Sequence, residues 1–423
     1  MHRRLWLPVV LGALLLPFLM APTQAGPRWP GGHPKPPHQQ PHHDPWTPPY
    51  GAVFNNPVGS LAERTANVAR VVNAIRHTPR GETIRMAIYS FDRSSIADEL
   101  LKAHKRGVHV QMVLNDNWIS APTERLQRAL GHNPQKSSFV RLCHGSCRGG
   151  PGNLHLKVYA FSRTGSAKDV VITGSSNLTD RAVSLQWNDL YTVADDGLYG
   201  LFVKIFDQLK LDKPHRPRWV EYSSDQLRAN FYPTKSGAAH HVRVLPAPRR
   251  VSQADDPVMK RLRAVRCRTA KGFGIDRRTS IRIIMYAWQG NRGKYIAERV
   301  ARLKREGCSV RIILSVPGGG VLKVLHGAGI AMRSADWNYL PSGIVNMYSH
   351  LKVLMVDGTY RGKPTRTLWT GSENWSPMSF RNDELTIQLS KPKAFSDYRR
   401  RFASLWMKGT HELGVHPTGK PQG

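Results

Sequence analysis

The sequence predicts an α/β protein made of two homologous repeats, and two observations support that prediction. First, segments of the N-terminal half recur in the C-terminal half: residues 82–91 (ETIRMAIYSF) align with residues 279–288 (TSIRIIMYAW), and residues 106–114 align with residues 306–314. Second, apolar residues at helical spacing alternate with short apolar runs in both halves. This alternation is typical of a mixed, largely parallel sheet covered by helices on both faces.

The predicted elements follow the same order in both repeats. In the first, a helix at residues 61–75 precedes a buried strand at 83–90, and a helix from Ile96 to Gly107 precedes a strand at 108–114. The second repeat is predicted to contain a helix near residues 258–265, a strand at 281–287, a helix at 296–303 and a strand at 309–314. Insertions therefore fall between elements, as expected for a duplicated domain.

The length of 423 residues suits two domains. We expect the N-terminal domain to span residues 52–215 and the C-terminal domain residues 216–412, followed by a tail at 413–423. Each repeat is far too long to be the unit of a solenoid.

The first 25 residues are typical of a secretory signal peptide. Two arginines precede an apolar stretch at residues 5–20, and residues 23–25 (TQA) form a small-residue cleavage site. Residues 26–51 are rich in Pro and His, which predicts an extended linker. We therefore expect the protein to be secreted.

The formal net charge is +33, from 62 Lys and Arg against 29 Asp and Glu, and the basic residues are spread over both repeats. Such a surface attracts polyanions, which include anionic membranes, nucleic acid and wall polymers. The charge does not choose among them. A surface adapted to solubility outside the cell is the alternative interpretation.

The chain has four cysteines, which an oxidising compartment would join into two disulfides. Among the possible pairings we favour Cys143 with Cys147, within a Gly-rich loop, and Cys267 with Cys308. A zinc site is the weaker alternative, because the spacing lacks paired C-x-x-C units.

A short set of polar residues occurs once in each repeat. The first copy is His155-Leu156-Lys157 followed by Gly174-Ser175-Ser176-Asn177, and the second is His350-Leu351-Lys352 followed by Gly371-Ser372-Glu373-Asn374. An acidic residue follows each copy, Asp189 in the first and Glu384 in the second. Because residues i and i+2 of a strand share one face, each histidine and its lysine point to the same side of a sheet.

This pattern resembles the signature of the phospholipase D superfamily, H-x-K-x4-D followed by G-S-x-N. The second copy fits in full, with Asp357 at the expected place, whereas Ser162 replaces the aspartate of the first. The resemblance implies two phospholipase D-type domains related by a pseudo-twofold axis, with the active site between them. It also implies a monomer that needs no metal or other cofactor, since lysines supply the positive charge.

The resemblance further implies roles for the two histidines. His155 would attack phosphorus and form a phosphohistidine, and His350 would protonate the leaving alcohol and then activate water. Asp189 and Glu384 would each bind the outer nitrogen of the histidine of their own repeat. Ser162 would loosen the first half-site without abolishing its activity.

The remaining motif residues are expected to bind or support the substrate. Lys157, Lys352, Asn177 and Asn374 would neutralise and bind the non-bridging phosphate oxygens. The other candidates are Asp357 as a support of the site, and Gly174, Gly371, Ser175 and Ser372 close to the phosphate.

Three hypotheses about the function follow, two of them enzymatic and one for a binding protein. A fused pair of motifs behind a signal peptide most resembles phospholipases D, which hydrolyse head groups and transfer phosphatidyl to alcohols. A phospholipid or membrane surface is then the expected partner, with Trp118, Trp337 and Tyr339 as candidate contacts and core packing as their alternative role. The charge favours an extracellular nuclease acting on nucleic acid instead. Ser162 motivates the third hypothesis, a decayed site that binds anionic polymers or membranes.

Overall fold

The computed structural model describes residues 45–215, 219–231, 253–337 and 347–412. These residues belong to one compact unit, which includes both repeats. The predicted signal peptide, the first part of the predicted linker, Tyr339 and the predicted tail lie outside the described residues. The boundary between the two predicted domains, at residues 215 and 216, stays a prediction.

The first repeat contains, in chain order, β1 (Gly51–Phe54), α1 (Leu61–Arg76), β2 (Thr83–Ile88), α2 (Ser94–Lys105), β3 (His109–Asn115), α3 (Ala121–Leu130), β4 (Phe139–Cys143), β5 (Lys157–Thr164), β6 (Ala167–Gly174), α4 (Asp180–Ser184), β7 (Gln186–Trp187), β8 (Asp189–Ala194) and α5 (Asp196–Leu209). Within the described residues, its sheet has the strand order β1-β8-β6-β5-β2-β3-β4.

The second repeat contains β9 (Val220–Ser223), β10 (Arg228–Phe231), α6 (Pro257–Arg263), β11 (Val265–Arg266), β12 (Ser280–Trp288), α7 (Gly290–Arg305), β13 (Ser309–Pro317), α8 (Gly319–Gly327), β14 (Ala331–Ser334), β15 (Asp336–Trp337), β16 (Met347–Ser349), β17 (Lys352–Tyr360), β18 (Lys363–Gly371), a 3-10 turn (Pro377–Phe380), β19 (Leu385–Leu389), α9 (Pro392–Lys408) and β20 (His411–Glu412). Its sheet has the order β20-β14-β13-β12-β17-β18-β19-β10-β9, and a small sheet joins β15, β16 and β7.

The α/β class is confirmed, but parallel pairing covers less of each sheet than the sequence led us to expect. The predicted strand–helix–strand units are parallel, as β2 with β3 and β12 with β13. The strands that begin at the motif lysines, two residues after the histidines, instead turn back at once: β5 pairs antiparallel with β6, and β17 with β18. A tight turn can join only antiparallel neighbours, so these hairpins make both sheets mixed.

Three buried apolar clusters fix the layers. One lies between the first sheet and helices α1, α2 and α3 and includes Val71 and Leu100, and a second lies between the second sheet and α6, α7 and α8. The third cluster contains residues of both repeats, among them Val158 of β5 and Val353 of β17, with α5 and α9. The two motif strands are therefore buried against the same central core, which holds them in fixed positions.

The ends and crosslinks of the unit agree in part with the sequence predictions. Both favoured disulfides, Cys143–Cys147 and Cys267–Cys308, are present, so the zinc alternative is wrong. Trp46, within the predicted linker, stacks on His77 with ring centroids 4.3 Å apart, and the bounds of the linker stay a prediction. Across the residues that the structure describes, no helix has the length and apolarity needed to cross a bilayer.

Candidate active site

The two motif histidines are each held by backbone of the other repeat. The His155 amide donates to the carbonyl of Asp383 at 3.0 Å, and the His350 amide donates to the carbonyl of Trp187 at 2.9 Å. Leu156 and Leu351, which follow the histidines, are fully buried. Both imidazoles are thus anchored where the repeats meet, and each half-site depends on the opposite repeat for its position.

The imidazole of His155 faces a carboxylate of the second repeat. Its Nδ1 lies 3.0 Å and 2.9 Å from the two carboxylate oxygens of Glu384. Asn382 Nδ2 donates to the same carboxylate at 2.9 Å, and the Ser372 hydroxyl also donates to it. Because a carboxylate accepts, Nδ1 carries the proton and the lone pair lies on Nε2. The expectation that Glu384 orients His350 was wrong, since the acid acts across the repeats.

The imidazole of His350 faces neutral oxygen atoms. Its Nδ1 lies 3.0 Å from the carbonyl oxygen of Ser175 and 2.9 Å from Oδ1 of Asn188. A carbonyl can only accept, so this ring has the same tautomer, with its lone pair on Nε2. The expectation that Asp189 binds a motif histidine was also wrong. The Asp189 carboxylate instead accepts from the hydroxyls of Thr370 at 2.6 Å and Tyr398 at 2.5 Å, both in the second repeat.

The two lysines lie beside the histidines and over tyrosine rings. Lys157 Nζ donates to the carbonyl of His155 at 2.8 Å, and its counterpart Lys352 donates to the carbonyl of His350 at 2.6 Å. Lys157 lies 5.3 Å from the ring centre of Tyr89, and Lys352 lies 4.7 Å from that of Tyr286. Cation–π contact of this kind holds an ammonium group without neutralising it.

Tyr89 and Tyr286 are residues of the site that the sequence interpretation missed. Each ring also packs edge-on against its histidine, with centroid separations of 5.2 Å for His155 and 4.7 Å for His350. The signal was present, because the two tyrosines occupy the same place in the aligned segments 82–91 and 279–288. The apolar pattern of both segments predicts buried strands, and that assignment gives the tyrosines no role in the site.

Burial shifts the protonation of the whole cluster. Burial lowers the pKa of His155, although Glu384 opposes the shift. Burial, with Lys352 and Lys157 nearby, holds the pKa of His350 well below its usual value. Burial also lowers the pKa of Lys157 to about 7, and burial together with Lys157 lowers that of Lys352. The substrate-free site therefore favours neutral imidazoles, and an arriving phosphate would favour protonated lysines.

The motif asparagines are placed less symmetrically. Asn177 is buried, and within the described residues its Oδ1 has no hydrogen-bond partner. Asn374 is half-buried, and its Oδ1 accepts from the amide of Ala287 at 3.4 Å. Glu373, beside Asn374, binds Arg292 at 2.5 Å in a buried ion cluster. Phosphate oxygens accept hydrogen bonds, so either asparagine would bind them through its Nδ2 donors rather than through Oδ1.

Four residues predicted to lie close to the phosphate have structural roles, and their contact with phosphate stays a prediction. A Cβ on Gly174 would lie 2.4 Å from the carbonyl oxygen of Asp189, and one on Gly371 would lie 2.1 Å from that of Leu385. These glycines allow neighbouring strands to approach. The Ser175 hydroxyl donates to Asn188 at 3.2 Å, and that of Ser372 donates to Glu384, so both serines position the partners of the histidines.

Asp357 lies far from the histidines and is not part of the site. It follows Lys352 by five residues of β17, which is roughly 17 Å along a strand. Its carboxylate accepts from the amide of Gly274 at 3.0 Å and pairs with Arg366 at 3.3 Å. At the matching place in the first repeat, Ser162 accepts from the Thr83 amide at 2.7 Å. Replacement of the motif aspartate therefore changes a structural contact.

The aromatic residues proposed for membrane contact differ from one another. Trp118 is 51% exposed and Ile119 is 49% exposed. Their loop is tied to the site, because the neighbouring Asn117 donates to Asn153 at 2.6 Å, two residues before His155. Trp337 instead packs inward, with its Nε1 donating to the carbonyl of Gly409 at 3.1 Å, which is the alternative we had considered.

The chain is similar to known proteins across both repeats. The family described as "Cardiolipin synthase, PLD-like domain" matches residues 71–210 and 275–406. Two curated relatives, each described as mitochondrial cardiolipin hydrolase, come from Xenopus laevis and Xenopus tropicalis, with 26% and 24% identity over 153 residues. That alignment covers 36% of this chain and 61% of each relative, so the chain spans less than two thirds of their length.

Solved structures show the fold. The chain covers 88% of phosphatidylserine synthase from Haemophilus influenzae, with 87% of its own length, a TM-score of 0.56 and 14% identity. It also covers 49% of polyphosphate kinase from Porphyromonas gingivalis, with 83% of its own length, a TM-score of 0.52 and 14% identity. Two matched family regions, each with one histidine–lysine pair at the shared core, place the chain in the phospholipase D superfamily, to which it belongs.

Proposed function

We propose that the protein hydrolyses the head-group phosphodiester of glycerophospholipids through a phosphohistidine on His155. The observation that carries the proposal is the Glu384 carboxylate 2.9 Å from Nδ1 of His155, because it makes Nε2 the nucleophilic nitrogen. Two lysines flank the two histidines and supply positive charge for the phosphate. The proposed reaction uses these side chains and a water molecule.

The reaction proceeds in two displacements. In the first, the anionic phosphate favours uptake of a proton by His350. Nε2 of His155 then bonds to phosphorus, the P–O bond to the head group breaks, and His350 gives that proton to the departing alcohol. The ring of His155 becomes positive, and Glu384 stabilises that charge. In the second, His350 removes a proton from water, the water oxygen bonds to phosphorus, and the P–N bond breaks. Lys157 and Lys352 stabilise the charge on the non-bridging oxygens in both steps.

The exposed loop beside the site favours lipid as the substrate class. Trp118 and Ile119 present about half of their surfaces to solvent, and Asn117 ties their loop to the segment that carries His155. Such side chains suit the boundary between lipid and water. The curated relatives are described as acting on cardiolipin, itself a phospholipid. We also infer secretion, from the predicted signal peptide and the two disulfides.

Head-group release from vesicles tests the lipid assignment. Vesicles of phosphatidylcholine, phosphatidylglycerol or cardiolipin would be incubated with the protein and EDTA, with His155→Ala as the inactive control. We expect release that EDTA does not prevent. Trp118→Ala should lower the rate on vesicles by several-fold and leave the rate on soluble bis(p-nitrophenyl) phosphate unchanged. Folded protein that releases no head group from any of these lipids would overturn the assignment.

The net charge of +33 favours a second candidate, hydrolysis of nucleic acid. Plasmid and single-stranded DNA would be incubated with the protein and EDTA, again with His155→Ala as control. Cleavage by the unaltered protein alone would support this candidate, and intact DNA after prolonged incubation would remove it. Trapping of a phosphoprotein with either substrate would refute the third reading, a decayed binding protein.

A further inference from the structure

A groove rich in arginine lies on the second sheet, away from the motif histidines. Arg282 of β12 and Arg311 of β13 are neighbours in register. With residues of α9 they enclose a volume of about 390 Å³, which we call the arginine groove; it is lined by Arg282, Arg311, Arg399, Arg400, Phe402, Ala403, Trp406 and Met407. Met285, which pairs with Lys352 of the site, lies three residues beyond Arg282, or roughly 10 Å along the strand.

Three of the guanidinium groups that line the groove take part in no ion pair among the described residues. Within the described residues, the side chains of Arg282, Arg311 and Arg399 form no ion pair and donate no hydrogen bond. Arg282 is half-buried, and burial lowers its pKa. The charge of Asp357 opposes that shift, and the smaller effects of Arg311 and Arg399 add to it. Arg400 differs, because it pairs with Asp397. Like charges held together favour a bound anion.

Two stacked aromatic rings hold the guanidinium groups in place. The rings of Phe402 and Trp406 are stacked with centroids 5.6 Å apart. Arg282 lies 5.9 Å from the centre of Phe402, and Arg311 lies 5.5 Å from that of Trp406. Cation–π contact orients a guanidinium while its N–H donors stay available. A compact anion therefore meets donors that are already positioned.

The first repeat shows that the fold itself does not require this cluster. Arg85 aligns with Arg282, but it donates to the Tyr199 hydroxyl at 2.8 Å. Gln111 aligns with Arg311. When α5 and α9 are aligned on the buried pair Phe206 and Phe402, Val203 corresponds to Arg399 and Lys210 to Trp406. The first repeat thus has one guanidinium group, which has a partner, at the positions where the second repeat has three.

We propose that the arginine groove binds the phosphate group of an anionic ligand, at a site separate from the catalytic one. Guanidinium groups bind phosphate oxygens through pairs of charge-assisted hydrogen bonds. The aromatic rings already contact guanidinium groups, so the groove suits a compact phosphate rather than a stacked base. A free phosphate ester and a phospholipid head group both present this chemistry.

The residues of the first repeat supply the test variant, Arg311→Gln combined with Arg399→Val. Calorimetric titration with pyrophosphate should show two classes of site in the unaltered protein, the catalytic site and the groove. The variant should lose one class or bind at it at least about tenfold more weakly, which is about 1.4 kcal/mol. Turnover of bis(p-nitrophenyl) phosphate should stay within about twofold, because neither arginine touches the histidines.

A matched control removes the same charge elsewhere. Arg302→Gln with Arg305→Gln removes two charges from exposed positions of α7, and we expect it to bind pyrophosphate as the unaltered protein does. Equal pyrophosphate binding by the unaltered protein and the groove variant overturns the proposal. Loss in both double variants also overturns it, since general charge would then explain the binding. The single change Arg311→Gln gives the same comparison if the double variant does not fold.

Two lipid mixtures identify the source of the phosphate. Phosphatidylcholine vesicles with and without phosphatidic acid would be sedimented with the unaltered protein and the groove variant. Weaker sedimentation of the variant with phosphatidic acid supports a lipid head group, and equal sedimentation with lost pyrophosphate binding supports a free phosphate ester. The proposal is overturned if the unaltered protein shows no pyrophosphate site at the groove while the variant binds single-stranded oligonucleotide more weakly. The groove would then be a surface for a polymer.

Discussion

The two half-sites share one sequence pattern, yet their histidines have different surroundings. Nδ1 of His155 faces the carboxylate of Glu384, whereas Nδ1 of His350 faces the neutral oxygens of Ser175 and Asn188. A carboxylate stabilises the positive ring that forms when an imidazole attacks phosphorus. A histidine without one gives up its proton more readily, which suits a general acid. The motif thus supplies two similar groups, and their neighbours make them different.

The difference arises from one methylene group and its surroundings. Asp189 and Glu384 occupy matching places after the two motifs, but Asp189 has the shorter side chain. Its carboxylate is bound by the hydroxyls of Thr370 and Tyr398, away from His350. Asn188, the preceding residue, takes the place beside the imidazole. A duplicated gene has in this way acquired two distinct histidine environments.

The largest expected effect comes from exchanging the histidines for alanine one at a time. His155→Ala should abolish turnover and the covalent intermediate with every substrate. His350→Ala should also lower the rate of lipid turnover by about 10³-fold or more. With a p-nitrophenyl ester it should still form the adduct, because that leaving group needs little proton donation.

Acid-quenched mass analysis of the trapped protein locates the phosphoryl group. We expect it on His155 in the unaltered protein and in the His350→Ala variant. A phosphoryl group on His350, with His155 unmodified, would reverse the two roles and contradict the interpretation of the Glu384 contact. The reaction class would be unaffected by that result.

Removal of the carboxylate beside His155 should have the next largest effect. Glu384→Gln keeps the size of the side chain and removes the charge, so kcat should fall by about 10²-fold with little change in KM. The matched change in the other repeat, Asp189→Asn, should lower kcat by less than about tenfold, since Asp189 touches neither histidine. Steady-state kinetics of the two variants test this, and equal losses would show that the asymmetry has no catalytic consequence.

The lowered pKa of Lys157, about 7, predicts a pH-dependent affinity for anions. Below pH 7 its ammonium is charged and attracts an oxyanion, and above pH 7 it loses the proton. The inhibition constant of tungstate should therefore rise by about tenfold per pH unit above 7 in the unaltered protein. Lys157→Arg keeps its charge throughout, so its inhibition constant should rise less steeply from pH 6 to pH 9, with the remaining slope due to Lys352. A flat profile in the unaltered protein would contradict the shifted pKa.

Sequence reasoning found what is local in the chain and missed what depends on the meeting of the repeats. The order of helices and strands follows from periodicity, and both disulfides follow from composition and the loop at Cys143. The partner of His155 was missed, because it lies 229 residues away and depends on how two strand ends meet. Gly174 and Gly371 were assigned to the phosphate, although a neighbouring strand requires them. Such contacts are set by packing, which no spacing in the sequence shows.

The smallest expected effect concerns Ser162 and the support of the first half-site. The Ser162 hydroxyl donates to the Glu82 carboxylate at 2.6 Å, and Glu82 aligns with Thr279 of the second repeat. The second repeat therefore has an aspartate and a threonine, Asp357 and Thr279, where the first has a serine and a glutamate. In the second repeat the two side chains have separate partners: Asp357 binds Gly274 and Arg366, and the Thr279 hydroxyl donates to the carbonyl of Arg266. The contact between Ser162 and Glu82 therefore belongs to the first repeat alone, and we expect it to support that half-site in place of the motif aspartate.

A double-mutant cycle tests this compensation. Ser162→Asp alone places two carboxylates together, so the free energy of unfolding should fall by about 1 kcal/mol. Glu82→Thr alone leaves the serine hydroxyl without its acceptor and should cost a similar amount. The pair Ser162→Asp with Glu82→Thr gives both positions the residue types of the second repeat and removes the repulsion between the two carboxylates. It should therefore recover most of the loss, with activity within about twofold of the unaltered protein. Additive losses in chemical denaturation would show that the two positions are independent, and the aspartate's replacement would then be an uncompensated defect of the first half-site.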